Sequence, residues 1–221
     1  MDKMDKKIEQ GREYRSMTME IRKDADTEKD YKVSGYATTY NQPYRLYGYN
    51  DGQRNVEVWE QIDSKAFDNT DMADTIMQYD HEGRVFARVS NGTLSLNKDD
   101  EHGLLINADL GGTQIGRELY EEIKGGYTSK MSFGFTVKAD KVEETSDYED
   151  NTIKYLRTIT EIGKLYDVSA VSLPANDYTE ISARKALDGV IDAKLTERLE
   201  AEKRAKLKAE ILAKLKGVNN D

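Results

Sequence analysis

Short segments that alternate apolar and polar residues, separated by glycine, proline and asparagine, fill the middle of this 221-residue chain and constrain its fold most. Alternation at every second residue is typical of a strand with one buried face. In residues 56–62 it places Val56, Val58, Glu60 and Ile62 on one side. Comparable segments lie at residues 17–21, 31–37, 76–81, 85–89, 93–96, 104–110, 127–139, 153–162 and 165–173. The first two of these are expected to pair as a hairpin.

Helical patterns are scarce in the same region. Ile115, Leu119 and Ile123 recur at every fourth residue between Thr113 and Gly126, which predicts an amphipathic helix that ends at glycine. The regular alternation of strand and helix that builds a parallel sheet is missing from the sequence. We therefore expect a mostly β fold of the α+β class, with a closed or nearly closed β-barrel surrounded by short helices.

Composition divides the chain into three parts. Residues 1–16 are charged and poor in apolar side chains, which predicts a flexible segment or a frayed helix. Residues 17–183 hold the alternating segments and are expected to form the β-barrel domain. Residues 184–221 are rich in Ala, Leu, Lys and Glu, and predict a basic amphipathic helical tail, as one helix or a helical hairpin. Its apolar residues recur at Leu187, Ile191, Leu195, Leu199, Leu207, Ile211 and Leu215.

Charge is segregated along the chain. Residues 31–183 contain 15 Lys and Arg against 26 Asp and Glu, a net charge of −11, whereas residues 184–217 contain 10 against 6, a net charge of +4. An acidic body argues against nucleic acid as the main partner, because binding there needs basic surface to displace counterions from phosphates.

Cysteine usage and hydropathy exclude further classes. With no cysteine, the chain has no disulfide framework, no thiolate nucleophile and no cysteine-based zinc site. The charged N-terminus lacks the apolar core of a signal peptide, and no apolar run reaches 18 residues. We expect a protein that is neither secreted nor membrane-spanning.

Ser132 is the candidate nucleophile. It lies between Met131 and Phe133, and Gly134 follows, which would let a substrate backbone approach closely. A serine hydroxyl barely ionises at neutral pH, so it attacks a carbonyl only when a base takes its proton and a third group orients that base. Ser129 is the competing serine, although it lies among polar residues.

The base has two candidates, because the chain contains only His81 and His102. His81 ends a predicted strand and precedes a glycine-containing loop, whereas His102 lies at an acidic turn tip that is typical of a surface histidine. Asp167 is an acid inside an apolar strand, where a carboxylate needs either an imidazole N–H or a basic side chain as partner. Two histidines without a compact carboxylate motif make a thin ligand set for a metal-dependent hydrolase.

Four segments together resemble the prohead (procapsid maturation) proteases of HK97-type tailed phages. They are residues 76–88 with Tyr-Asp-His, the 93–109 hairpin with Asp-Glu-His-Gly-Leu, residues 126–135 with Met-Ser-Phe-Gly-Phe, and residues 166–176 with Asp-Val-Ser-Ala-Val-Ser-Leu-Pro-Ala-Asn. The likeness runs in the same order from about Tyr31 to Arg184. That family resembles the herpesvirus assembly proteases in fold, which implies a β-barrel surrounded by helices.

The resemblance implies a catalytic triad of Ser132 as nucleophile, His81 as base and Asp167 as acid. Relatives commonly have Glu at the third position, so Glu161 is the alternative acid. Residues 174–176 are the expected source of oxyanion-hole donors. No cofactor and no metal are implied.

The resemblance also implies a substrate and a place of action. The enzyme would cleave the scaffold, or the scaffolding segment of the major capsid protein, and itself, in the host cell cytoplasm inside the assembling procapsid. The implied partners are the major capsid protein and the scaffold, with a homodimer or higher oligomer as a further option, and neither nucleic acid nor a membrane. The alternative from another class is a noncatalytic capsid-assembly or scaffolding protein.

Overall fold

The computed structural model describes residues 3–17, 22–23, 31–147, 150–172 and 177–218. The helices in these ranges are α1 (Lys3–Glu9), α2 (Gln114–Gly125) and α3 (Asp177–Val218), with one 3-10 turn at Val89–Asn91. The strands are β1 (Glu13–Met17), β2 (Arg22–Lys23), β3 (Lys32–Thr39), β4 (Tyr44–Asn50), β5 (Asn55–Ile62), β6 (Ile76–Tyr79), β7 (Glu82–Arg88), β8 (Leu94–Asn97), β9 (Gly103–Asp109), β10 (Lys130–Asp147) and β11 (Thr152–Val171). The predicted α+β class, with strands in the majority, is confirmed.

The strands in the described ranges form two sheets. The larger has the order β1-β10-β11-β5-β4, and β6 joins it by pairing with both β11 and β7. The smaller has the order β2-β3-β9-β8. Neither sheet closes on itself within these ranges, so the closed barrel is not confirmed. A parallel bridge between Tyr40, just after β3, and Ile62, at the end of β5, joins the two sheets.

A long antiparallel hairpin of β10 and β11 forms the centre of the larger sheet. β11 also pairs in parallel with β5 near its start and with β6 near its end, from Asp167 to Ala170. The sequence predicted a strand only over residues 127–139 here, but β10 continues to Asp147, with Glu143 opposite Leu156. The backbone bonds to β11 stabilise the strand there despite its polar side chains, since strand propensity depends on context.

One apolar core lies between the two sheets. The larger sheet contributes Met131, Phe133 and Ile162, and the smaller contributes Leu104 and Ile106, all with no exposed surface. In β5 the alternation is confirmed, because the four residues expected on one side, Val56, Val58, Glu60 and Ile62, are the buried ones.

Helix α2 packs on this core through the predicted stripe. Leu119 and Ile123 are buried. Thr113 caps the first turn, where its Oγ1 accepts a hydrogen bond of 3.0 Å from the Gly116 amide. Gly126 ends the helix in the left-handed region at φ 78°, which a side chain would disfavour.

The N-terminal residues differ from expectation. Residues 1–16, for which the sequence predicted a flexible segment or a frayed helix, contribute the helix α1 and also most of β1, a strand that pairs with β10 along its whole length. Tyr14 and Arg15 are buried, and this burial accounts for an ordered strand where composition alone suggested none. Of the hairpin expected between residues 17–21 and 31–37, the structure describes Met17, which pairs with β10, and residues 31–37; residues 18–21 lie outside the described residues.

The chain divides into two compact units, Met1–Ala183 and Arg184–Asp221. In the second unit, the described residues continue α3 as one uninterrupted helix, rather than a helical hairpin. Leu207 and Ile211 are about half exposed on it, at 58% and 49%. No helix among the described residues is long and apolar enough to cross a membrane.

Candidate active site

Ser132 lies in the interior of the larger sheet, on β10. Its neighbours across the ladder are Ser16 of β1 on one side and Ser169 of β11 on the other. The side chain has no exposed surface. A serine in this position is held rigidly by two strands, so its hydroxyl can be aimed at a fixed partner.

His81 is presented by the tight turn between β6 and β7. Only Asp80 and His81 separate the two strands, and both have positive φ, at 46° and 61°. Two such residues make a type I′ hairpin turn, which normally takes Asn or Gly and is strained for histidine. Asp80 ties the turn to the end of β11, because its carboxylate accepts hydrogen bonds of 3.0 Å from both the amide and the hydroxyl of Ser172.

The turn brings His81 between the two other candidate residues. His81 Nε2 lies 2.6 Å from Ser132 Oγ. On the opposite side of the ring, His81 Nδ1 lies 2.5 Å from Asp167 Oδ1. The three side chains that were expected to meet, although they are far apart in sequence, are thus in hydrogen-bond contact.

Asp167 is held ionised by its partners. It is buried, and burial alone would raise the pKa of its carboxyl; the charge and hydrogen bond of His81 and the hydrogen bond from Ser169 lower it further than burial raises it. Ser169 Oγ donates at 2.8 Å to Asp167 Oδ1. The sequence contained a signal for Ser169, because residues two apart on a strand share a face.

Gly134 packs directly against this carboxylate. A Cβ at this position would lie 2.6 Å from Asp167 Oδ2 and 2.8 Å from Tyr14 Cε1, both closer than real contacts allow. Besides the close substrate approach that the sequence predicts for this glycine, its missing side chain leaves room for the acid.

The competing candidates lie elsewhere. Glu161 Oε1 accepts from Lys138 Nζ at 2.5 Å, in an exposed ion pair. His102 is exposed, and its ring packs edge-on against Tyr36 at 4.6 Å between centroids. Ser129 lies before β10 begins, and the serine in contact with His81 is Ser132.

The N-terminal segment covers the three side chains. Ser132 Oγ lies 2.6 Å from the carbonyl oxygen of Arg15. The Tyr14 ring packs edge-on against the His81 ring, 4.6 Å between centroids, and Lys7 Nζ donates to the His81 carbonyl at 3.0 Å. As a result, His81 is only 2% exposed. Nothing in the composition of residues 1–16 indicated this cover.

A buried cluster of charges lies beside the covered serine. Arg15 donates to Glu60, from Nε to Oε1 at 2.6 Å and from a terminal nitrogen to Oε2 at 2.9 Å. Arg157 donates to Glu60 at 3.0 Å and to Glu13 at 2.7 and 3.1 Å. Tyr44 donates its hydroxyl to Glu60 at 2.6 Å. Burial raises the pKa of Glu60, but the charge and hydrogen bonds of Arg15, the charge of Arg157 and the hydrogen bond from Tyr44 lower it below its usual range.

Two further expectations concern ligands of the site. Residues 174–176, expected to supply oxyanion-hole donors, lie outside the described residues. Among the side chains that the structure does describe, no group of three or more His, Asp or Glu residues is placed to hold a metal ion.

Comparison with known proteins identifies the family of the chain. No curated protein and no solved structure matches the chain. Residues 17–190, which include all three side chains of the Ser132 site, match the family of caudovirus prohead serine proteases. This match extends over most of the sequence. The chain therefore belongs to the caudovirus prohead serine protease family, a family of serine peptidases.

Proposed function

We propose that this protein cleaves peptide bonds during capsid maturation with Ser132 as nucleophile, His81 as general base and Asp167 as the acid that orients it. The observation that carries the proposal is the unbroken contact from Ser132 Oγ through the imidazole to Asp167. Each group is buried and held by strands or a tight turn, so the geometry is fixed before a substrate binds. The same contact argues against the alternative of a noncatalytic assembly protein.

The proton transfers follow from the pKa of Asp167. Because that pKa is lowered, the carboxylate is ionised at neutral pH and accepts the Nδ1–H of His81. This leaves Nε2 as the proton acceptor: once the hydrogen bond from Ser132 Oγ to the Arg15 carbonyl is released, Nε2 takes the hydroxyl proton as Oγ attacks the carbonyl carbon. His81 then gives the proton to the leaving amine, and a water molecule hydrolyses the acyl-enzyme by the reverse use of the same base. Asp167 stabilises the imidazolium at each stage.

The substrate we propose is the scaffold, or the scaffolding segment of the major capsid protein, together with the protease itself. Membership of the prohead serine protease family supports this substrate and a place of action inside the assembling procapsid in the host cell. An oligomer of this chain, as a homodimer or larger assembly, is part of the same hypothesis.

The architecture we propose has three functional parts. The two sheets make up a nearly closed barrel at residues 17–183, which is supported by their shared core and by the bridge between Tyr40 and Ile62. Residues 1–16 are a removable segment. Residues 184–221, which are helical in their described part to Val218, tether the enzyme to the acidic or apolar surface of a capsid component, for which the half-exposed Leu207 and Ile211 provide apolar contacts.

The test is coexpression with the major capsid protein of the same virus, followed by gel electrophoresis and mass spectrometry of the products. Ser132→Ala should abolish processing, because it removes the hydroxyl that lies 2.6 Å from His81 Nε2. Ser129→Ala is the matched control and should process normally. Processing that continues in Ser132→Ala would reject the assignment and favour a noncatalytic role.

A further inference from the structure

Strand β1 has the placement of a bound peptide substrate. It is an extended segment added antiparallel to β10, and Ser16 is directly opposite Ser132. Adding a strand to a sheet edge is a common way to bind a peptide, with backbone bonds giving affinity and side-chain pockets giving specificity. The carbonyl nearest to the candidate nucleophile is that of Arg15, 2.6 Å from Ser132 Oγ. The peptide bond at the nucleophile is therefore Arg15–Ser16.

The side chains of β1 alternate between two built environments. Glu13 and Arg15 point to the same side, as residues two apart on a strand do. Arg15 enters a fully buried pocket whose floor is Glu60, and Glu13 binds Arg157 beside it. Tyr14, on the other side, covers His81.

The pocket suits arginine for a chemical reason. Arg15 forms two hydrogen bonds to the two oxygens of Glu60, and a planar guanidinium matches a carboxylate in this way better than an ammonium does. The charges also balance when the strand leaves, because β1 removes one negative and one positive group. Glu60 and Arg157 then remain paired with each other at 3.0 Å.

We infer that β1 is a built-in substrate and that Ser132 cuts its Arg15–Ser16 bond. The groove that holds β1 selects an arginine before the cut through Glu60, and a glutamate two residues earlier through Arg157. This inference rests on the proposed function of Ser132. The region that matches the protease family begins at residue 17, one residue after the new N-terminus at Ser16. The segment removed by this cut is residues 1–15, one residue shorter than the removable segment of residues 1–16 proposed above.

The hydrogen bond between Ser132 and the Arg15 carbonyl also explains how Ser132 is kept unreactive before the chain is cut. The hydroxyl has one proton, and the Arg15 carbonyl oxygen and His81 Nε2 each lie 2.6 Å from Oγ. While the hydroxyl donates to Arg15, its proton is not available to His81. Cleavage requires this hydrogen bond to break, so that the proton passes to Nε2 as Oγ attacks the carbonyl carbon.

The reaction balances with water as the only co-reactant. Oγ bonds to the Arg15 carbonyl carbon, the bond to the Ser16 nitrogen breaks, and His81 protonates that nitrogen to give a new N-terminus. Water then adds to the ester and returns a proton to Ser132 through His81. The products are residues 1–15, which end in the Arg15 carboxylate, and residues 16–221.

The experiment follows the intact mass of the full-length chain over time after purification, alone and with the capsid protein. We expect a product that begins at Ser16, and new C-termini in the capsid protein at arginines that have a glutamate two residues earlier. Arg15→Gln should slow release of residues 1–15 by about 10²-fold or more, because it removes the guanidinium that makes two hydrogen bonds to the buried Glu60 carboxylate. Arg15→Lys should cut faster than Arg15→Gln, and Arg45→Gln, an exposed arginine 3.7 Å from Glu57, should cut like the unmodified chain.

Two results separate this inference from the function on which it rests. If capsid processing depends on Ser132 but no chain begins at Ser16, or if the capsid cuts follow residues other than arginine, the inference is wrong and the proposed function stands. If processing is unchanged in Ser132→Ala, both are wrong. Because the unmodified chain gives the decisive N-terminus, a variant that fails to fold does not affect the outcome.

Discussion

Replacing Gly134 with alanine tests whether the position of Asp167 controls the rate. The added methyl would lie 2.6 Å from Asp167 Oδ2 and 2.8 Å from Tyr14 Cε1. An ordinary C···O contact is about 3.3 Å or longer, so the carboxylate must move by roughly 0.7 Å. Asp167 is buried and bonded to His81 and Ser169, and it cannot move this far without disturbing the imidazole.

The expected magnitude follows from that displacement. A misplacement near 1 Å costs about 10²-fold in rate, whereas complete loss of the orienting acid costs about 10⁴-fold. We expect Gly134→Ala to process capsid protein about 10²-fold more slowly, equivalent to about 2.7 kcal/mol in the barrier. Overpacking should also lower the free energy of unfolding by about 1–3 kcal/mol.

The assay is the initial rate of capsid processing in coexpression, normalised to folded protease by circular dichroism. Gly163→Ala is the matched control on the same hairpin, since its methyl would meet Thr136 Oγ1 at 3.3 Å and needs only a small adjustment. If Gly134→Ala and Gly163→Ala process at rates within about threefold of each other, the position of the Asp167 carboxylate does not limit catalysis and the reasoning is wrong.

Three other perturbations have defined outcomes. Asp167→Asn should slow processing by about 10⁴-fold. The folded pKa of Asp167 is lowered, so the stability that this carboxylate contributes is complete above the ordinary pKa of about 4 and is lost as the pH falls through the folded value. The free energy of urea unfolding of the variant should therefore vary less with pH below about 5 than that of the unmodified protein. Glu60→Gln leaves Arg15 and Arg157 with less buried counter-charge and should lower the free energy of urea unfolding by about 3–5 kcal/mol. Glu57→Gln is the control on the other face of β5; Glu57 makes partly exposed ion pairs of 3.7 and 3.9 Å, and its loss should lower the free energy of unfolding by less than about 1 kcal/mol. Equal losses of stability would contradict the assigned roles. Removing residues 186–221 should preserve peptide hydrolysis but reduce incorporation into procapsids, measured by quantitative mass spectrometry of purified particles, and normal incorporation would refute the tether.

Local pattern was sufficient for elements whose burial follows their own sequence. The alternation in β5 predicted which side chains are buried, and the apolar spacing and closing glycine predicted α2. The expectation that Ser132, His81 and Asp167 meet came from the family resemblance, because sequence spacing does not show which distant side chains come together. The type I′ turn at His81 could not be predicted from Asp-His, since neither residue favours positive φ strongly enough.

Burial of charge was the main reason that sequence reasoning failed at β1. Composition alone predicts that Glu13 and Arg15 are exposed to solvent. They are buried because Glu60 and Arg157 neutralise their charges in ion pairs. Those partners are 45 and 144 residues away in sequence from Arg15 and Glu13 respectively, and no local pattern joins them. The sequence did not predict the polar end of β10 for a similar reason, since that part of the strand is stabilised by backbone pairing with β11 and not by burial of its own side chains.

The most direct measurement of the central claim is chemical labelling of the nucleophile during maturation. A fluorophosphonate probe would be added to cells that coexpress the protease and the capsid protein, and the modified peptide would be identified by mass spectrometry. The account predicts an adduct on Ser132 that is lost in His81→Ala. Circular dichroism is the control that verifies the fold of this variant. Capsid cleavage accompanied by an adduct on Ser129, or by a Ser132 adduct that persists without His81, would contradict it.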